Sequence, residues 1–399
     1  MVEHDLAKVG VASSNLVSRS IFLSAHSVFT LKCMLSFLSF VIVRRFLGSK
    51  NKQVTWLGGR VVMQRTATPL TSVRFRSQPP DYGNFNIMRI LITGVAGFIG
   101  FHLAKKLIEQ RHEVVGIDNI NDYYDISLKK NRLSILESDN FEFNELDINE
   151  VSFLNRRFDL IVNLAAQAGV RVPEGKKINY QHSNIDGFKK VVDYCTEHSI
   201  EKLIYASSSS VYDDSSSKSF SENDTDLKPK SLYGETKLFN EEYMEKLDSR
   251  IDCIGLRFFS VYGPFGRPDM AYFSFTESLK KGQPIKLHNN GSMARDMTFI
   301  DDVIDGITKS IDFLMNSDKE IKNELFNIGN DSPILTSDLL KTLENNLKIK
   351  AQVENIVTSD ESLYTHANLD KSKSMLGYNP KISFKEGIKE FLDWHKTYE

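Results

Sequence analysis

The chain has 399 residues, 41% of them hydrophobic and 26% charged, so it can bury the core of one large domain or two smaller ones. Its charges are uneven: residues 1–87 hold eleven Lys or Arg against three Asp or Glu, which leaves a formal balance of −10 for the rest and argues against a nucleic-acid partner. The three cysteines have neither zinc-site nor disulfide-framework spacing, so no metal is predicted.

Residues 1–87 are predicted to lie outside the fold. Ile21 to Val43 is an apolar run with Lys32 near its middle and Arg44-Arg45 after it, so a membrane anchor, a targeting segment and dispensable upstream sequence all stay open. A lysine at the centre of a spanning helix costs about 2.5–3.5 kcal/mol on insertion scales. We therefore expect a cytoplasmic protein, with membrane contact only if the 21–43 segment is an anchor.

Short apolar runs alternate with amphipathic stretches from Met88 onward. Strands are predicted at Arg89–Thr93, Glu113–Asp118, Phe141–Asp147, Asp159–Leu164, Lys202–Ala206 and Cys253–Phe258, and later helices near Phe273–Lys281, Asp301–Met315, Thr336–Asn346 and Phe384–Trp394. This alternation predicts an α/β fold, a Rossmann-like doubly wound parallel sheet with helices on both faces. We assign 88–262 to this Rossmann-like domain and 263–399 mostly to a smaller C-terminal substrate-binding lobe, with part of 301–330 a candidate to return to the sheet.

The first strand runs into a glycine turn, Gly94-Val95-Ala96-Gly97-Phe98-Ile99-Gly100, that opens a helix. Such a turn holds a dinucleotide pyrophosphate on backbone N–H groups, although a glycine trio alone also occurs for packing reasons. The second strand ends at Asp118, whose carboxylate can bind ribose hydroxyls and would repel a 2′-phosphate, so NAD is predicted rather than NADP. The predicted cofactor contacts are Gly94, Gly97, Phe98, Ile99, Gly100, Asp118, Asn119, Asp147, Ile148, Leu164, Ala165, Ala166, Tyr233 and Lys237.

A phenol and an ammonium lie four residues apart on one helical face, at Tyr233 and Lys237. Such a pair alone is usually a solvated helix face, so its partners must make it specific. Tyrosine, with an ordinary pKa of about 10, is a poor base, and Lys237 with a positive nicotinamide ring would lower that pKa. Ser208 ends the fifth strand, at the sheet edge where ligands bind. We predict Ser208, Tyr233 and Lys237 as the catalytic residues of a hydride-transfer site.

With these motifs, the chain resembles the extended short-chain dehydrogenases/reductases of the NAD-dependent epimerase family over nearly all of 88–399. The stretches that carry the resemblance are 118–125, 164–171, 205–212 and 257–270. It implies an isomerase, a nucleotide-sugar 4-epimerase that uses retained NAD to convert UDP-glucuronate to UDP-galacturonate through a 4-keto intermediate. It also implies a UDP-sugar substrate and a homodimer.

A 4-keto uronate is a β-keto acid that tends to lose CO2, and a bidentate arginine could hold its carboxylate where the breaking bond overlaps poorly with the carbonyl. Arg267 is the candidate for this clamp, and an ordinary loop arginine is the alternative at both Arg267 and Arg171. The family's nucleotide-diphosphate arginine falls on Arg295. The predicted substrate-binding residues are Arg171, Ser208, Ser209, Ser260, Arg267 and Arg295.

Several other functions share parts of this pattern. A UDP-glucose/UDP-galactose 4-epimerase has the same triad but needs no clamp. A nucleotide-sugar 4,6-dehydratase or decarboxylase needs an acidic group beside the active hydroxyl, and the run Ser207–Ser210 has none. Another oxidoreductase would release its cofactor at each turnover, and a non-catalytic NAD-binding scaffold would be expected to lose Tyr233 or Lys237.

Overall fold

The computed structural model of the protein describes residues 53–57, 60–64, 87–170, 175, 177–212, 219–248, 250–357 and 364–398. The chain divides into two compact units, Met1–Gly83 and Asn84–Glu399. In the first unit, strands β1 (Gln53–Leu57) and β2 (Arg60–Gln64) form an antiparallel hairpin. The candidate anchor at 21–43 lies outside the described residues. Within the described ranges, no helix has the length and apolar character needed to cross a membrane.

The second unit holds all the other described elements. Its strands are β3 (Arg89–Thr93), β4 (Glu113–Asp118), β5 (Phe141–Glu145), β6 (Leu160–Asn163), β7 (Lys202–Ser208), β8 (Asp252–Phe258), β9 (Ser260–Tyr262), β10 (Ile285–His288), β11 (Ala294–Phe299), β12 (Glu324–Ile328), β13 (Pro333–Leu335) and β14 (Val353–Ile356). Its α-helices are α1 (Phe98–Glu109), α2 (Ile126–Leu136), α3 (Lys177–Tyr180), α4 (Gly187–Glu197), α5 (Leu232–Lys246), α6 (Ala271–Lys280), α7 (Ile300–Asn316), α8 (Thr336–Leu347) and α9 (Phe384–Tyr398).

Seven parallel strands form the main sheet, in the order β12-β8-β7-β6-β3-β4-β5. The chain builds outward from β3 in one direction through β4 and β5, and then in the other direction from β6. Strand order therefore reverses between β3 and β6, and in open α/β sheets ligands bind outside the carboxyl ends of the strands at such a point. The predicted Rossmann-like α/β fold is confirmed.

The strands are buried on both faces because alternate side chains enter two separate apolar cores. Ile90 and Ile92 of β3 lie in one core with residues of α1 and α7. Leu91, between them, lies in the other core with Phe188 of α4 and Met244 of α5. Helices therefore cover both sides of the sheet, and the site is built at its carboxyl edge.

The C-terminal part of the unit adds two small sheets. Strand β11 lies between β13 and β9, and β10 pairs with β14. Asp296 on β11 is fully buried and accepts hydrogen bonds from the backbone N–H groups of Asn330 (2.7 Å) and Ala367 (2.9 Å). Between these pieces the chain returns to the main sheet, since β12 pairs with β8 and α7 packs beside α1.

Candidate active site

The glycine turn lies at the carboxyl end of β3, beside the reversal in strand order. Gly94 has a φ of +70°, a conformation that favours glycine, and a Cβ there would lie 2.8 Å from backbone atoms of Ala165. A Cβ at Gly100 would lie 2.3 Å from the carbonyl oxygen of Gly94. Gly97 is the N-cap of α1. The turn therefore brings the N–H groups at the start of this helix to the cleft, where they favour an anion.

Asp118, at the end of β4, closes the cofactor end of the cleft. Its carboxylate accepts hydrogen bonds from the N–H groups of Ala96 (3.2 Å) and Ile120 (2.9 Å), and burial raises its pKa. The ammonium of Lys129 lies 4.0 Å away and donates to the carbonyl oxygen of Asn121 (2.8 Å). This carboxylate thus connects the glycine turn to the end of the neighbouring strand.

One continuous cleft brings together most of the predicted residues. Those that line it are Gly94, Gly97, Phe98, Ile99, Gly100, Asp118, Asn119, Ile148, Leu164, Ala165, Ala166, Ser208, Ser209, Tyr233, Lys237, Ser260 and Arg267. The cleft runs from the glycine turn to the carboxyl end of β7 and the start of α5. The predicted cofactor residues and the predicted catalytic residues therefore line one continuous space, although the chain separates them by about 140 residues.

Two predicted residues do not line this cleft, and a third is not described. Asp147 does not line it, and its side chain instead accepts a hydrogen bond from Asn119 Nδ2 at 2.9 Å. Arg295 is also absent from the cleft lining: it lies on β11, and its Nη1 donates to the carbonyl oxygen of Ala294 at 3.0 Å. Arg171 lies outside the described residues.

Helix α5 positions the predicted catalytic pair, Tyr233 and Lys237. It begins after Ser231, whose hydroxyl accepts a hydrogen bond from Gly234 N at 3.1 Å, so Tyr233 lies in the first turn at the open end of the cleft. Lys237 lies one turn later, with its ammonium 5.7 Å from the centroid of the Tyr233 ring. Ser208 ends β7 and lines the same cleft, and its hydroxyl helps to lower the pKa of Tyr233. The structure therefore assembles the predicted trio.

The electrostatics of the phenol differ from the expectation. Burial raises the pKa of Tyr233, and the largest opposing influence is the guanidinium of Arg267, followed by the hydrogen bond with Ser208. The sequence predicted this influence from Lys237 together with a positive nicotinamide ring, and not from Arg267. The Lys237 ammonium donates instead to the carbonyl oxygen of Ala206 at 2.8 Å, and burial lowers its own pKa to about 8.

Arg267 reaches the cleft from the loop after β9. It donates from Nε to one oxygen of Asp269 (3.0 Å) and from Nη2 to the other (2.5 Å), and its guanidinium lies 5.7 Å from the centroid of the Tyr123 ring. These contacts fix the orientation of the planar guanidinium. Arg267 is therefore a partly buried arginine that is paired with a carboxylate.

Arg132 is a structural residue of the site that the sequence analysis missed. It is fully buried on α2 and donates to the carbonyl oxygens of Ala96 in the glycine turn (2.7 Å) and Phe265 (2.6 Å). It thereby connects the cofactor turn to the loop that carries Arg267.

A buried ion pair behind the trio, Glu241 with Arg257, was missed as well. The spacing of Glu241, four residues after Lys237, was the one available signal.

A Rossmann sheet, a glycine turn at its switch point and a Ser/Tyr/Lys trio in the same cleft define a dinucleotide-dependent enzyme. Residues 90–329 match the model of the NAD dependent epimerase/dehydratase family. This chain belongs to that family, and the prediction of NAD as its cofactor is confirmed.

Individual relatives cover most of the second unit. UDP-glucuronate 4-epimerase 4 of Arabidopsis thaliana is 39% identical over 334 residues, which are 78% of this chain and 76% of that protein. Protein CapI of Staphylococcus aureus is 39% identical over 331 residues, 78% of this chain and 99% of that protein. The crystal structure of UDP-glucuronic acid 4-epimerase from Bacillus cereus with UDP-glucuronic acid and NAD has a TM-score of 0.72 at 31% identity and covers 78% of this chain and 100% of that chain.

Replacing Gly100 with Ala is expected to weaken the binding of NAD, because the new Cβ would clash with the carbonyl oxygen of Gly94 and open the turn. We expect affinity for NAD to fall by about tenfold or more, which is a loss of about 1.4 kcal/mol. Calorimetric titration with NAD measures this directly. Ala104→Gly, in the same helix, is the control, since it weakens α1 without touching the turn. Equal NAD affinity in the Gly100→Ala variant and the wild-type protein would contradict this description of the turn.

Proposed function

We propose that this enzyme interconverts UDP-glucuronate and UDP-galacturonate by NAD-dependent epimerisation at C4, through a 4-keto intermediate. The observation that carries the proposal is the position of Arg267, a cation held in place in the cleft that also holds Ser208, Tyr233 and Lys237. The Arabidopsis thaliana relative at 39% identity and the Bacillus cereus structure are both named as UDP-glucuronate (UDP-glucuronic acid) 4-epimerases, which supports the proposal.

The residues present fit NAD. The close packing of Gly94 and Gly100 leaves no room for a Cβ, so the backbone of the turn and the start of α1 can approach a pyrophosphate. Asp118 places a carboxylate at the end of the next strand, where it would hold the ribose hydroxyls. When bound, NAD would accept the C4 hydrogen as hydride and later give it back. Ser208, Tyr233 and Lys237 would lie beside its reactive end.

Tyr233 is assigned as the base for the C4 hydroxyl. In the oxidation, its phenolate takes the hydroxyl proton while Ser208 hydrogen-bonds to the same oxygen; in the reduction, the phenol returns the proton to the new C4 alkoxide. The positive charges of Arg267 and Lys237 favour the phenolate against the effect of burial. The proton therefore stays on one residue between the two half-reactions.

Arg267 is assigned to the uronate carboxylate. Two of its five N–H donors point to Asp269, which leaves Nη1 and the second hydrogen of Nη2 for a substrate carboxylate. Ser209 and Ser260 line the same cleft and would add hydroxyl donors. A carboxylate held in this way stays near the plane of the C4 carbonyl, which opposes loss of CO2.

The cleft lining also bears on the lyase alternatives. Among the described residues that line it, Asp118 is the one carboxylate, and it lies at the cofactor end. No acidic side chain of the described lining stands beside Ser208 to protonate a leaving hydroxyl. The arrangement therefore favours epimerisation over a 4,6-dehydratase reaction.

A homodimer and a cytoplasmic location remain proposals that accompany the function. The family resemblance supports the homodimer. The described cysteines, Cys195 and Cys253, are buried free thiols, as in a reducing compartment. Analytical ultracentrifugation of the full chain measures the oligomeric state directly.

The substrate assignment is tested with the full chain and the Arg267→Leu variant, each incubated with UDP-glucuronate or UDP-glucose and followed by proton NMR. We expect the wild-type protein to form UDP-galacturonate, and the variant to lose about 100-fold in kcat/KM for the uronate because the carboxylate loses a charged bidentate partner. Arg156→Leu is the matched control, since Arg156 makes a similar pair with Glu142 at the surface. Turnover of UDP-glucose but not of the uronate would overturn the assignment.

The base is tested by Tyr233→Phe. We expect this variant to keep its NAD and to lose about 10³-fold in kcat, because the ring remains and only the proton-transferring hydroxyl is removed. Tyr243→Phe, which removes a hydroxyl from the same helix, should behave like the wild-type protein. The readouts are single-turnover kinetics and the bound NAD content. A Tyr233→Phe rate close to that of the wild-type enzyme would show that another group is the base.

A further inference from the structure

We propose that Glu241 is a positioning residue for the catalytic trio: it fixes the end of β7 that carries Ser208 and supplies the negative charge behind Lys237. Its kinetic readout rests on the proposed function, whereas its structural basis does not. Glu241 lies on α5, two turns after Tyr233 and one turn after Lys237, so the three residues share one face of the helix. At that place it points into the protein, with 4% of its surface exposed.

Glu241 contacts the residue next to Ser208. The hydroxyl of Ser207 donates to Glu241 Oε1 at 2.5 Å, and Ser207 is almost fully buried. A charged acceptor makes this hydrogen bond short and strong. Because Ser207 and Ser208 are consecutive at the end of β7, a side chain that fixes one also fixes the backbone from which the other reaches the cleft.

Arg257 neutralises Glu241 and connects it to the neighbouring strand. It donates from Nε to Oε1 (2.9 Å) and from Nη2 to Oε2 (2.7 Å), and both side chains are buried. In the pairing of β7 with β8, Ser207 stands directly opposite Arg257. One carboxylate thus joins α5, β7 and β8 immediately behind the active site.

The hydrogen-bond network extends beyond α5, β7 and β8. Arg257 Nη1 donates to the hydroxyl of Tyr212 at 2.8 Å, and that hydroxyl donates to Oδ1 of Asn327 on β12 at 2.7 Å. The Asn327 amide donates in turn to the carbonyl oxygens of Phe220 (2.9 Å) and Asn368 (3.1 Å). A connected chain of buried hydrogen bonds of this kind holds its members in one arrangement.

The second role of Glu241 concerns the ammonium of Lys237. This ammonium is buried, burial lowers its pKa to about 8, and the charge of Glu241 opposes that lowering. The titratable or charged groups around this face of α5 are Tyr233 on the same helix, Tyr180 on α3, Tyr205 on β7, Arg257 on β8 and Arg267 in the loop after β9. Asp269 pairs with Arg267, and Glu241 is the carboxylate whose charge acts on Lys237. Without it, burial would lower the pKa of Lys237 with no opposing charge from Glu241.

The test is the pH dependence of kcat in the NAD-bound full chain, for the wild-type protein, Glu241→Gln and Ser207→Ala. In Glu241→Gln we expect kcat at pH 8 to fall by about tenfold or more and the alkaline limb of the profile to move down by about one pH unit, since Lys237 loses its proton more easily. In Ser207→Ala we expect a several-fold loss of kcat with both limbs in place, because no charge changes.

Glu242→Gln is the matched control, since Glu242 is the next residue on the helix and pairs with Lys246 at the surface. It should leave both kcat and the profile unchanged. If Glu241→Gln does not fold because Arg257 is left unpaired, the double variant Glu241→Gln/Arg257→Gln is measured instead. We expect its kcat and its alkaline limb to shift in the same direction. An unshifted alkaline limb in the folded variant overturns the electrostatic role, and full activity of Ser207→Ala overturns the positioning role.

A readout without turnover separates this proposal from the substrate assignment. The pKa of Lys237 can be followed by NMR of the NAD-bound protein with ¹⁵N-labelled lysine side chains. We expect it to be lower in Glu241→Gln than in the wild-type protein by about one unit. Equal values overturn the proposal even if the enzyme epimerises UDP-glucuronate, and a lowered value supports it even if the substrate is another UDP-sugar.

Discussion

The seven strands of the main sheet run parallel, so all of their carboxyl ends lie along one edge, and the whole site depends on that edge. The reversal of strand order between β3 and β6 opens the place where the glycine turn meets the start of α1. Ser208 reaches the same edge because it ends β7, and α5 brings Tyr233 across it. Residues separated by well over a hundred positions therefore become neighbours without any local sequence signal for their contact.

Charge near the phenol links substrate recognition to catalysis. Arg267 is the largest influence that lowers the pKa of Tyr233, and it is also the residue assigned to the uronate. A carboxylate on that guanidinium offsets part of its positive charge, so binding the substrate would weaken its support for the phenolate. The ammonium of Lys237 and a positively charged nicotinamide ring then carry more of that support. Glu241, which we infer keeps Lys237 protonated, therefore contributes most to the phenolate when the substrate occupies the cleft.

Periodicity predicted the elements that are buried on both sides, but not the long-range pairs. The strands beginning at Arg89 and Glu113 have the predicted bounds, because continuous apolar runs between glycine and polar turns leave few other structures. The nucleotide-diphosphate role predicted for Arg295 remains a prediction, since this residue on β11 does not line the cleft. Glu241 escaped notice because a carboxylate on a helix is usually solvated, and its burial depends on Arg257, which a different strand supplies.

In the proposed mechanism, the hydrogen on C4 leaves as hydride and returns to the same carbon, while Tyr233 transfers only the hydroxyl proton. UDP-glucuronate with deuterium at C4, incubated in ordinary water with the NAD-bound enzyme and followed by NMR and mass spectrometry, tests it most directly. The account predicts UDP-galacturonate that keeps its deuterium at C4 through many turnovers. Product with solvent hydrogen at C4 would contradict it, because it would mean that this carbon is deprotonated rather than oxidised.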